Sequence, residues 1–76
     1  MQAGDAVVAT VPGGAQVRAV VTMVSPDGNA LMLTFRGFAH VVQVGDAVYV
    51  GKLALTREGG VWRDASGQVV EVTRDA

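Results

Sequence analysis

The chain predicts an all-β fold, a small five- or six-stranded antiparallel barrel of SH3-like or related kind with no substantial helix, and three observations carry that prediction. Sixteen valines stand in short runs, and a β-branched side chain suits a pleated strand while losing rotamer freedom in a helix. Ten glycines interrupt those runs, several in Asp-Gly or Gly-Gly pairs that reverse a chain. Seventy-six residues without a cysteine leave room for one domain, spanning 1–76, whose stability must come from packing or association and not from disulfides.

The first strand is expected from Asp5 to Val11, ended by Pro12-Gly13-Gly14, where proline removes a donor and glycine supplies positive φ. A second runs from Ala15 to Val24. In it Val17, Ala19, Val21 and Met23 share one face and Gln16, Arg18 and Thr22 the other, the period-2 pattern of a half-buried strand. Ser25-Pro26-Asp27-Gly28-Asn29 is the strongest turn and makes the second and third strands antiparallel neighbours. The third, Ala30 to Arg36, sets Leu31, Leu33 and Phe35 against Met32, Thr34 and Arg36. Beyond Gly37 the segment Phe38 to Val44 is less regular and reads as a loop entering a short strand before Gly45-Asp46.

The next strand, Ala47 to Thr56, changes phase. Val48 and Val50 point one way, and Leu53 and Leu55 resume at a spacing of three across Gly51. A bulge or sharp bend at Gly51 repairs the phase, and such bends let a strand leave one layer and join another as a small barrel closes. Glu58-Gly59-Gly60 then turns the chain into Val61-Trp62-Arg63, and Asp64-Ala65-Ser66-Gly67 turns it back into a last strand, Gln68 to Thr73. There is also an internal echo: Gly4-Asp5-Ala6-Val7 recurs as Gly45-Asp46-Ala47-Val48, and the pattern of Gly28 to Thr34 returns over Gly67 to Thr73. A duplicated β unit would predict pseudo-twofold symmetry.

Six Lys and Arg against seven Asp and Glu give a net charge of −1. The cations stand singly among acids and form no basic stripe along the sequence, so they read first as solvated surface positions. The N-terminus lacks the basic flank and apolar run of a signal peptide, and no stretch is long enough to span a bilayer. The expected location is the cytoplasm, with no membrane partner.

Catalysis and metal binding find little material. His40 is the one histidine and has no acid close by in sequence; a Ser-His-Asp triad would need it to meet Ser25 or Ser66 through the fold. The carboxylates are dispersed, about one per turn or strand, and read as turn formers; no metal site and no cofactor are expected. Pro12-Gly13-Gly14 feeds a strand and not the helix that a phosphate-cradling loop requires.

The string Arg63-Asp64-Ala65-Ser66-Gly67 resembles the Asp-x-Ser part of cyclic-dinucleotide-binding PilZ domains. It lacks the two residues before the glycine and the upstream Arg-x-x-x-Arg, and reads as a hairpin turn. Val42 to Val50 resembles the Val-x-Val-Gly-Asp-x-Val hairpins of many small barrels, which implies architecture and no family.

Two residue sets remain. Arg36, Phe38, His40, Tyr49 and Trp62 lie outside the inferred core and have the composition of a small binding surface; the competing reading has Trp62 and Phe38 plugging the barrel's open ends. Val8, Val20, Val24, Met32, Val42 and Val69 fall opposite the inferred core or in runs apolar on both faces, and a strand buried on both faces needs a cover, here a second copy of the chain. The resulting expectation is a non-enzymatic binding or assembly module, homodimeric or higher, that also engages a protein or peptide partner. An alternative is a nucleic-acid-binding small barrel with Arg18, Arg36, Lys52 and Arg57 on one face. A further alternative is an oligomeric-pore enzyme of the plasmid-type dihydrofolate reductase kind, to whose Val-Gln-Ile-Tyr motif Val42-Gln43-Val44-Gly45 is a partial match.

Overall fold

Alternating valine, alanine and leucine face a common centre in this fold. The computed structural model describes residues 1–11, 13–36, 41–44 and 47–75, with the backbone alone for 41–44 and 47–50. Its strands are β1 (Ala6–Thr10), β2 (Gln16–Val24), β3 (Ala30–Phe35), β4 (Val41–Val44), β5 (Ala47–Val50), β6 (Lys52–Glu58), β7 (Val61–Arg63) and β8 (Val69–Arg74). Six of them close an antiparallel barrel in the order β1-β2-β3-β6-β7-β8, with β8 returning to pair with β1; β4 and β5 form a separate two-stranded sheet. The described residues include no helix, so none long and apolar enough to cross a membrane.

The barrel is filled by Val7, Ala9, Val11, Val17, Ala19, Val21, Leu31, Leu33, Phe35, Leu53, Leu55 and Val70. Cross-strand registers explain the contacts: Val7 lies opposite Ala19, Leu33 opposite both Val21 and Leu53, and Leu31 opposite Leu55. Small side chains from β1 and β2 leave room for the leucines of β3 and β6, which is how a narrow barrel reaches close packing.

The sequence pattern places Met23 with Val17, Ala19 and Val21, and the structure corrects this. The β2–β3 register shifts between Val21 and Met23, so Thr22 is the extra residue of a bulge. After one inserted residue every side chain changes face. Met23 turns outward and is 68% exposed, while Val24 turns inward and packs against the core. Thr22 holds the bulge by donating its hydroxyl to the carbonyl of Met32 at 3.2 Å.

Gly51 resolves the other phase change. It has φ 76°, in the left-handed region that costs a side chain roughly 1–2 kcal/mol, and the expected strand Ala47 to Thr56 divides there into β5 and β6. The bend lets β6 join the barrel while β5 pairs with β4. The remaining topology is two three-stranded meanders, β1-β2-β3 and β6-β7-β8, joined through β3–β6 and β8–β1. The second part of the sequence echo falls on β3 and β8, the third strand of each meander. The first part falls on β1 and on β5, which lies outside the barrel, so the twofold pattern is incomplete.

Both third strands are entered through an aspartate turn. In the first, Asp27 Oδ1 accepts from Ser25 Oγ and from the backbone N–H of Asn29 at 3.0 Å. These donors, the Ser25 hydroxyl foremost, hold the exposed Asp27 carboxyl below its ordinary 3.8. In the second, Asp64 is 4% exposed, and its Oδ1 accepts from Ser66 N, Ser66 Oγ and Gln68 N at 2.7–2.9 Å.

Candidate functional site

Because the barrel is closed, chemistry offered to a partner must come from its outer face, its ends or the β4–β5 hairpin. The outer face of β2, β3 and β6 has two unlike ends. At one end, Met23 lies opposite Met32 and Met32 opposite Ala54. Together with Val24, Leu31 and Leu55 they line an open, almost wholly apolar groove of about 370 Å³. The bulge at Thr22 creates this feature by turning Met23 outward.

The other end is basic. The Ala19–Phe35 pairing continues one step to set Arg36 opposite Arg18, whose carbonyl accepts from the Arg36 N–H at 2.9 Å. Lys52 on β6 lies opposite Thr34, two residues before Arg36 on the same face. Three cations that are 18, 36 and 52 in sequence thus converge on three adjacent strands, and all three are exposed. Arg18 Nε stands 3.9 Å from Asp75 Oδ2, an exposed contact of the kind that contributes little. Arg36 and Lys52 have no acidic partner among the described residues. Like charges directly opposite each other on neighbouring strands oppose folding, so the arrangement is not explained by stability.

Arg57 does not join them. It lies five residues along β6 from Lys52, about 17 Å away at the rise of a strand, opposite Trp62. Trp62 is half-buried against the core, and the Arg57 guanidinium sits 5.8 Å from its ring centroid, within cation–π range. Of the residues the sequence groups as a partner-binding surface, Trp62 and Arg36 are therefore at opposite ends of the barrel. Tyr49 is on β5, opposite Val42; Phe38 and His40 lie outside the described residues.

The apolar set expected to form an oligomer interface is also distributed. Val8 and Val20 are half-buried on the outer face of β1 and β2, Met32 lines the methionine groove, Val24 packs inward, and Val69 is exposed on β8. Val69 lies opposite Arg63, beside a second groove lined in part by Val61 and Trp62. Val42 is on β4. Sequence reasoning missed the exposure of Met23, because Thr22 reads as an ordinary strand residue and nothing marks the bulge. The Asp64-Ala65-Ser66 string is spent locally, both polar side chains bonding within the turn.

The hairpin is the remaining feature. Val41 lies opposite Val50, Val42 opposite Tyr49, Gln43 opposite Val48 and Val44 opposite Ala47. Seven of these eight residues are apolar, and neither strand joins the barrel's ladder. No protein-family model, curated protein or solved structure matches the chain.

Proposed function

We propose that this chain is a non-enzymatic, cytoplasmic assembly module that associates with further copies of itself through apolar surface outside the barrel core. The observation that carries this reading is the β4–β5 hairpin. A two-stranded hairpin is at best marginally stable alone in water. Registered pairs share a face, so the register sorts Val41, Gln43, Val48 and Val50 to one side and Val42, Val44, Ala47 and Tyr49 to the other. Both sides are apolar, and the chain's own barrel can cover only one of them. The strands also carry no lysine, proline or other charge of the kind that guards an exposed sheet edge. Val8, Val20, Met32, Val42 and Val69 are the apolar positions that such an association would draw on, and the exposed Met23 adds to them.

Light scattering over a concentration series tests this directly. The expected result is a mass that rises with concentration toward a dimer or higher species, with V42E/V48E, one charge on each side of the hairpin, returning the chain to monomer without lowering its thermal midpoint by more than a few degrees. A wild-type chain that stays monomeric at about 1 mM, where even an association of about 4 kcal/mol would be half-formed, sinks the proposal.

A further inference from the structure

We infer that the Arg18–Arg36–Lys52 end of the outer β2-β3-β6 face binds the phosphate backbone of single-stranded nucleic acid. The argument starts from the register. Two arginines are held opposite each other on neighbouring strands, and a third cation follows on the next strand. A folded chain free to choose would place an acid opposite Arg18, as sheets ordinarily do. Among the described residues no acid stands within ion-pair distance of Arg36 or Lys52, so the patch they form is positive although the molecule as a whole carries −1.

The partner's class follows from what surrounds the cations. β2 is paired with β1 on one side and β3 on the other, so no free edge exists beside Arg18 for an extended peptide to pair with; β6 pairs with β7 only over Thr56–Glu58. The two grooves that could anchor a peptide side chain, an apolar one around Met23 and a mixed one around Val61, lie elsewhere. A nucleic-acid backbone requires neither edge nor pocket, only cations at its phosphates. Arginine suits this role because its planar fork takes a phosphate bidentately and stacks on a base. Two strand spacings across the sheet and a two-residue step along it set Arg18 and Lys52 about 12 Å apart, enough to follow one backbone.

The test is fluorescence anisotropy of labelled oligothymidylate and oligouridylate of about twenty nucleotides, across a salt series, with a duplex of equal length and polyglutamate as competitors. Binding at low salt should weaken with a log–log slope near −2, the figure for three phosphates on a single strand at about 0.7 each. R36E/K52E should lose at least tenfold in affinity, whereas Arg57→Gln, a loss of charge at the opposite end, should change it by less than twofold. Arg36→Glu also replaces a repelling pair with an attracting one, so its thermal midpoint should hold or rise while binding falls; simple damage to the fold moves both downward. No binding at low salt, retention of binding by R36E/K52E, tighter binding of the duplex, or equal displacement by polyglutamate each overturns the inference. None of these outcomes depends on whether the chain self-associates, which is read separately from V42E/V48E.

Discussion

Among the described residues the first meander, β1-β2-β3 with its connections, supplies nine of twelve buried core side chains, from Val7 to Phe35; the second, β6-β7-β8, supplies Leu53, Leu55 and Val70, with Trp62 and Val72 half-buried against the core. The strands differ to match: β2 has nine residues and β7 three. With so little aliphatic burial, the second meander relies on one large aromatic surface and on a buried polar turn. Trp62 brings a ring that Arg57 covers, and Asp64 ties β7 to β8 through three bonds on one oxygen. The corresponding turn of the first meander, at Asp27, is exposed. Apolar packing and turn chemistry thus substitute for each other across the two halves.

Four substitutions test that comparison. Leu33→Ala, at the centre of the larger cluster, should cost about 2–5 kcal/mol, read by denaturant unfolding; a loss under 1 kcal/mol would mean the first meander is not where the barrel's stability resides. Asp64→Ala leaves the backbone N–H groups of Ser66 and Gln68 without their acceptor and should cost about 1–3 kcal/mol. The same change at Asp27 should cost clearly less, and equal losses would erase the distinction between the turns. Replacing residues 36–50 by an Asn-Gly turn, which the Phe35 N–H to Gly51 carbonyl bond at 3.0 Å permits, should leave a cooperatively folding barrel, since β4 and β5 form a sheet of their own outside the barrel's ladder.

The smallest effect concerns pH. The Asp27 carboxyl is held below 3.8 in the folded chain, so its contribution is present above that value and lost as pH falls through the folded one. The thermal midpoints of wild type and Asp27→Asn should therefore differ at pH 7 and converge in strong acid; a gap that persists in acid would assign the difference to something other than this charge.

Much of the barrel was legible because its signals are local. Alternation gave β3 its core face, and glycine-flanked turns marked the hairpins. The skipped phase at Gly51 announced the bend that divides β5 from β6. Thr22 had no such mark. A bulge residue is defined by what the partner strand does, and Met32 is ten positions away. The candidate sites depend still more on register: Arg18, Arg36 and Lys52 look dispersed in a list of charges and become one patch only when β3 is laid against β2 and β6. The same step carries Trp62 away from Arg36, with which residue type alone had grouped it.

Closure of the barrel has a consequence at the chain ends. The N–H of Asp75 donates to the carbonyl of Ala6 at 3.0 Å, and Arg74 Nη2 lies 4.0 Å from Asp5 Oδ2, so polypeptide leaving in either direction departs from one point on the rim. A unit with its entrance and exit side by side can be spliced into a single surface loop of a larger host without prying that loop apart. It can also be permuted: a short linker joining the two ends, with new ends cut at Gly59-Gly60, keeps all six barrel strands and every ladder between them and opens only the β6–β7 turn.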